Sequence, residues 1–200
     1  MLINLLFQSP LLFILLAGIL VLSLSIHEFS HAYVASLLGD DTAKFQGRVS
    51  LDPRKHLDPI GTLALLFLGF GWGKPVPFDP SRLSNPKRDS ALISVAGPLS
   101  NLLLAIAMSM AAKFSGGIVL SILATAVYVN LALAFFNLLP IHPLDGFKAV
   151  LGLLPNSLAI QWLELQDYGV YILMLLIITG YVEKIINPLV HYSSLLLGIA

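Results

Sequence analysis

Apolar residues in this chain run in long blocks separated by short polar segments. Leu11 to Leu38, Ala91 to Ala112 and Ile118 to Leu139 are each long enough for a helix that crosses a bilayer, which takes about 20 residues. A shorter apolar patch, Ile60 to Phe70, has about half the required length and contains or precedes Gly69, Gly71 and Gly73. Toward the C-terminus, Tyr168 to Thr179 and Ile185 to Ile199 are further candidate spans, with Asn187 and Pro188 expected to interrupt the second. The pattern predicts an all-α polytopic membrane protein with a three-helix core, a loop between the first two helices, and additional C-terminal helices. One domain is expected over residues 1–200, with the core at about 11–148 and the C-terminal helices at about 149–200.

Composition agrees with lipid as the solvent. Of the 200 residues, 57% are hydrophobic and 11% charged, with a mean hydropathy of +0.88, whereas an average soluble domain has about 25% charged residues. The formal net charge is zero, which gives no reason to expect nucleic acid as a partner. With no cysteine, disulfides, thiolate ligands and a cysteine nucleophile are excluded. The first apolar segment has no charge before it and carries a polar cluster within it, unlike a cleaved signal peptide.

The basic residues set the sidedness. Lys44, Arg48, Arg54 and Lys55 precede the short patch and Lys74, Arg82, Lys87 and Arg88 follow it, eight of the eleven in the chain. If the patch crossed, these clusters would face opposite sides, against the positive-inside tendency. The patch is therefore expected to dip in and return as a re-entrant loop, a β-hairpin being one form it could take. Residues 40–90 then form one cytoplasmic-side region, and Asp145, beyond the third helix, falls on the same side as the C-terminal half of the first.

That half contains "HEFSH". His27 and His31 are four apart, so on a helix they share a face with about 6 Å of rise between them, and both imidazoles can reach one metal. Glu28 beside them completes an H-E-x-x-H arrangement, in which the histidines bind zinc and the glutamate is the base of a metalloprotease. With five histidines and three glutamates in 200 residues, shuffling would produce this motif in roughly two chains per thousand. Ionisable groups in lipid cost at least about 2.5 kcal/mol each, so three together ask for a purpose. The structural alternative is polar pairing inside a helix bundle.

Catalytic zinc takes a third protein ligand. His56, His142, His191 and the acids remain. Asp145, in "FNLLPIHPLDGFKAV", lies on the correct side, where Pro140 and Pro143 end the third helix and Gly146 permits a tight turn. A turn or cap aspartate is the plainer reading of that residue, and His142 could substitute as ligand.

"HEFSH" in the first long helix, "AGPLSN" opening the second and "NLLPIHPLDG" closing the third resemble, in that order, the site-2 protease family of intramembrane zinc metalloproteases. The likeness runs from about Ile26 to Lys148 and includes the loop "GWGKPVPF". It implies His27, His31 and Asp145 as ligands of one zinc ion per chain, and Glu28 as catalytic base. It further implies that Asn137 helps to hold the substrate or its oxyanion, and it matches Asn101 to a family feature. No inserted PDZ domain and no C-terminal nucleotide-sensing domain are visible, so the resemblance is to a short form. By the same resemblance the partners are the lipid bilayer and membrane-anchored proteins cut in or near their transmembrane segments, with the active site toward the cytoplasmic side of the cell membrane.

Each of these roles has competitors. Asn137 could instead make a helix-to-helix hydrogen bond, and Asn101, beside Gly97 and Pro98, could stabilise a kink or close packing. A rhomboid-like serine enzyme would need G-x-S-G, which is absent, and a presenilin-like aspartyl enzyme would need G-x-G-D, where this chain has "LLGD". A transmembrane metal-ion transporter could also line its path with His and Asp. Glu28 separates the two readings, since a hydrolase needs a base that is not a ligand. An inactive relative acting as a binding partner is opposed by the intact set of His27, Glu28, His31 and Asp145. In "GWGKPVPF", two prolines favour extended backbone and two glycines admit close approach, so this loop could present an edge to an unwound substrate. Its alternative is a surface loop with Trp72 as an interfacial anchor.

Overall fold

The computed structural model describes residues 2–68 and 71–199. Ten α-helices form in the described residues: α1 (Leu2–Gln8), α2 (Pro10–Leu37), α3 (Thr42–Phe45), α4 (Pro59–Leu68), α5 (Pro86–Ala112), α6 (Gly117–Asn137), α7 (Asp145–Leu153), α8 (Asn156–Glu164), α9 (Gln166–Ile178) and α10 (Tyr181–Leu196). Helices α2, α5 and α6 are long and apolar enough to cross a membrane. They coincide with the three spans read from the sequence, α5 starting five residues earlier. Pro10 and Pro86 open α2 and α5 at positions where a missing N–H costs no helical bond.

What these helices bury is small and polar, and what they expose is large and apolar. On α2 the buried positions include Ser23, His27, His31 and Ala35, a stripe with a spacing of four, while Ile14, Leu22 and Leu37 face outward. On α5 the matching stripe is Asp89, Ile93, Gly97, Asn101, Ala105 and Ser109. Lipid tails are as apolar as leucine, so helices in a bilayer gain by close backbone approach and interhelical hydrogen bonds, which favour this stripe of residues. Helix α5 is central, packing along α2, α6 and α7. Ala105, Val127, Leu131, Leu144, Leu173 and Ile186 form one apolar cluster on the α6 side of α5, and Ala35, Leu83 and Ile93 form another near the C-terminal end of α2.

The short patch does return. Leu57 and Gly73 pair as an antiparallel bridge, so the chain enters and leaves α4 at the same place. Helix α4, ten residues and about 15 Å long, covers half of a hydrocarbon core of about 30 Å. Glycine makes the fold-back possible. A Cβ on Gly61 would sit 2.1 Å from the Trp72 carbonyl oxygen, and one on Gly71 would sit 2.2 Å from that of Gly61. Among the described residues the re-entrant loop is thus a helix and an extended return joined by one bridge, with no strand ladder. Gly69 and Phe70, the last two residues of the predicted patch, lie outside the described residues.

The C-terminal helices differ from expectation in where they break. Pro188 lies inside α10, which runs through it, and the interruption is at Gly180, in the left-handed conformation at φ 72°. Pro188, the eighth residue of α10, forgoes its own bond to the Lys184 carbonyl without ending the helix, whereas the positive φ at Gly180 is a conformation that only glycine takes without cost. Helices α9 and α10 are bent by 75° and pass the length-and-composition test only as a pair, so the described residues hold three candidate spans, or four with the bent pair.

The absence of cysteine gives labelling a clean background. Single cysteines at the exposed positions Arg54 and Ser84 are expected to react with an impermeant thiol reagent from the same face of sealed vesicles. Reaction from opposite faces would turn α4 and its return into a crossing.

Candidate metal centre

His27 and His31, one turn apart on α2, bring their Nε2 atoms to 3.0 Å with the rings at 84°. Asp145 opens α7, and its Oδ2 lies 3.1 Å from His27 Nε2 and 3.2 Å from His31 Nε2. The residue after it explains how a carboxylate so far along the chain reaches them. A Cβ on Gly146 would lie 2.2 and 2.4 Å from the Leu138 and Leu139 carbonyl oxygens, so only glycine lets α7 start against the end of α6. Among the described residues, His27, His31 and Asp145 form the one group of three or more such side chains able to hold a metal ion. His142 stays outside it, half-buried and edge-on to Phe147. His56 is fully buried in the loop, its Nε2 at 2.6 Å from the Ser50 carbonyl oxygen.

Hydrogen bonds behind the histidines fix which nitrogen faces the centre. Asn130 Nδ2 donates to the Ala126 carbonyl oxygen (2.8 Å), which can only accept, so Asn130 Oδ1 faces Asn101 and receives its Nδ2 (2.9 Å). Asn101 Oδ1 is then left for His27 Nδ1, which donates to it at 2.6 Å. His31 Nδ1 donates to the Ile93 carbonyl oxygen at 2.7 Å. Both Nε2 atoms therefore present lone pairs to each other and to the carboxylate. This set fits a small cation. A tetrahedral zinc with bonds of about 2.0–2.1 Å has ligand-to-ligand edges of about 3.3–3.4 Å, close to the 3.0–3.2 Å triangle here.

Gly97 makes the space. A Cβ there would lie 2.4 Å from His31 Nε2 and 2.6 Å from His27 Nε2. In the sequence Gly97 stood out only as a neighbour of Asn101 in "AGPLSN". Asn130 did not stand out at all, although an asparagine in the apolar run "VYVNLAL" was a signal that could have been used. Asn101 is fully buried behind His27 and spends its amide on His27 and Asn130, outside the wall of the cavity.

A cavity of about 310 Å³ opens in front of the centre, with Glu28, Trp72, Val76, Phe78, Asn137 and Lys148 in its wall. Glu28 is buried, and Asn137 donates one amide hydrogen to the Leu133 carbonyl oxygen (2.9 Å) and has a second. Residues 73–79 form an extended strap along one side. Arg48, itself buried, donates to the Lys74 and Pro75 carbonyl oxygens (2.6 and 3.2 Å), Lys74 N donates to the His56 carbonyl (2.7 Å), and Asp79 N donates to Asp40 Oδ2 (2.6 Å). Burial opposes ionisation of Asp40, but hydrogen bonds from Thr42 and the Asp79 amide outweigh it and hold the carboxyl below its ordinary range.

Comparison with known proteins agrees with this geometry. The chain is similar to "Putative zinc metalloprotease YwhC" of Bacillus subtilis, 38% identical in an alignment 184 residues long that covers 86% of this chain and 84% of that protein. It is also similar to "Putative zinc metalloprotease Rip2" of Mycobacterium tuberculosis, 34% identical over 145 residues, 68% of this chain and 55% of that one. To the protein of the same name in Mycolicibacterium smegmatis it is 28% identical, over 90% of this chain and 73% of the relative. No family model and no solved structure matches. The chain belongs to the site-2 protease family. The names of its relatives support a metalloprotease function, and the donor set can hold a metal ion.

Gly97→Ala is expected to reduce bound metal by at least about tenfold, because the new methyl occupies the place of the ion. Gly18→Ala serves as control, since nothing lies within 4 Å of its Cβ. It should retain metal and gain up to about 1 kcal/mol of helix stability. Metal content by elemental analysis decides, and equal retention in both variants would place the ion elsewhere.

Proposed function

We propose that this protein is an intramembrane zinc metalloprotease that hydrolyses peptide bonds in or near the transmembrane segments of membrane-anchored proteins. The observation that carries the reading is the convergence of His27, His31 and Asp145 between membrane-type helices, in front of a cavity that also contains Glu28. His27, His31 and Asp145 would hold one zinc ion, which when bound supplies Lewis acidity to activate water and polarise a carbonyl. Glu28 accepts a proton from the attacking water and passes it to the leaving amine. The free amide hydrogen of Asn137 is available to a developing oxyanion. Asn101 and Asn130 act one step back, holding His27 in the tautomer that turns Nε2 to the centre. That Glu28 lies outside the ligand group favours a hydrolase over a metal carrier. By the distribution of lysine and arginine, the centre lies toward the cytoplasmic side of the cell membrane.

A helical substrate must unwind before its carbonyl is accessible, and bare backbone in lipid costs several kcal/mol per unpaired group. The strap offers a partner. Lys74 and Pro75 are engaged by His56 and Arg48, Pro75 and Pro77 have no N–H, and among the described residues no hydrogen bond engages the Val76 backbone. Val76 also lines the cavity. The unwound segment adds there as a short strand, alongside the metal centre.

Glu28→Gln should lower cleavage of a single-span substrate by at least about a hundredfold while zinc stays near one per chain. Asp145→Ala should lower zinc and cleavage together. Loss of zinc in Glu28→Gln would make Glu28 a ligand and return the carrier reading to first place.

Val76→Pro removes a strap N–H that no hydrogen bond engages among the described residues, and should suppress cleavage with zinc retained. Substrates with helix-destabilising residues should be affected no less than stable ones. Unimpaired cleavage by this variant would rule out strand pairing at Val76.

A further inference from the structure

Lys148 is the one lysine or arginine in the wall of the cavity. It stands one turn after Asp145 on α7, so the two share a face of that helix. Asp145 is committed to the histidines, and among the described residues Lys148 forms no ion pair. Its Nζ instead lies 4.7 Å from the centre of the Phe78 ring. An aromatic face attracts an ammonium but offers no lone pair to its three N–H donors.

The charge balance of the cavity points the same way. Glu28 and Asp145 are its two carboxylates, and together they match the charge of a divalent ion. The charge of Lys148 has no counterpart in the wall. A half-buried cation in that position favours an anionic group over a neutral acceptor, since hydrogen bonds to an ionised partner are about twice as strong. Phe78 belongs to the strap and Lys148 to α7, so their contact joins two parts of the cavity wall. A peptide lying between Val76 and the metal centre passes beside it.

We propose that Lys148 is a specificity-determining residue that binds a carboxylate of the substrate chain inside the cavity. The carboxylate comes either from an Asp or Glu side chain close to the scissile bond or from the new C-terminus that cleavage leaves. The proposal rests on the protease reading, and its test separates the two.

Binding is measured with the full chain, zinc-loaded and carrying Glu28→Gln, in lipid nanodiscs. One set of fluorescent single-span peptides carries one Glu or one Gln, moved stepwise along the cleaved region. A second set mimics the N-terminal product and ends in a free carboxylate or an amide. Lys148 is expected to give about fivefold tighter binding to the acidic member of a pair, at one or more positions in the first set or in the second set. The set that shows it identifies the source. Lys148→Arg should keep the ratio, Lys148→Met should reduce it to one, and Lys148→Glu should invert it in favour of a Lys-containing peptide. Zinc content near one per chain certifies that each variant is folded. In otherwise unmodified protein, Lys148→Met should bring the ratio of KM values for the acidic substrate and its neutral twin to one where the first set identifies the source. A ratio of one for the Lys148 protein at every position and in both sets, or a ratio that survives Lys148→Met, overturns the proposal. If no peptide is cleaved by the unmodified protein, the protease reading fails, while the binding ratios still decide the role of Lys148.

Discussion

Two imidazoles and a carboxylate that present lone pairs to one another at 3.0–3.2 Å, within helices that face lipid, repel unless a cation lies among them. The surrounding architecture keeps that arrangement from relaxing. Rotation of either ring is opposed by a hydrogen bond that its Nδ1 donates on the far side, to Asn101 Oδ1 from His27 and to the Ile93 carbonyl oxygen from His31. Both partners lie on one stripe of α5, four residues to either side of Gly97, whose missing side chain leaves the central space. Helix α5 thus supplies at successive turns an orienting acceptor, a vacancy in the packing, and a second orienting acceptor. Such second-layer contacts set the tautomer and basicity of a ligand as firmly as the ligand identity does.

The same constraint accounts for the composition of the helix interfaces. A bulky residue anywhere along the α2–α5 contact would separate the helices, and the imidazoles would lose their partners before any apolar surface was lost. Ser23, Ala32 and Ala35 on α2, and Ser94, Gly97 and Ala105 on α5, keep the axes close. Asn130 extends the polar chain into α6 and ends it on the Ala126 carbonyl, so the buried amides in this line have partners. In lipid an orphaned amide has no water to turn to, which makes a chain that terminates on a backbone acceptor far preferable to one left open.

How much of this could be read from residues alone depended on range. The i, i+4 histidines and the apolar spans are local patterns, and α2, α5 and α6 fall close to the predicted segments. The side on which Asp145 lies followed from counting basic residues around α4, and the Leu57–Gly73 bridge bears out the return of the chain. That counting treated Arg48 as a free charge, yet it is buried against two carbonyl oxygens. Gly97 was invisible as a part of the centre because its contribution is a distance between helices 66 to 70 positions apart in sequence. The break at Gly180 was missed for a different reason. Proline was weighted as an interrupter, whereas α10 runs through Pro188 and the chain breaks at Gly180, where the positive φ is open only to glycine without cost.

Extended backbone beside a membrane-embedded centre poses a problem that the strap solves residue by residue. Each unpaired N–H or carbonyl there would cost several kcal/mol. Pro75 and Pro77 remove two donors outright. The guanidinium of Arg48 takes two acceptors, the His56 carbonyl takes the Lys74 amide, and the Asp40 carboxylate takes the Asp79 amide. A lysine at position 48 could not do this, since only the planar fork of arginine reaches two successive carbonyls in fixed geometry. Pairing at Lys74, Pro75 and Asp79 anchors the strap and leaves the backbone groups of Val76, Pro77 and Phe78 between those anchors without hydrogen bonds among the described residues. Of these, Val76 and Phe78 line the cavity with the histidines and Asp145.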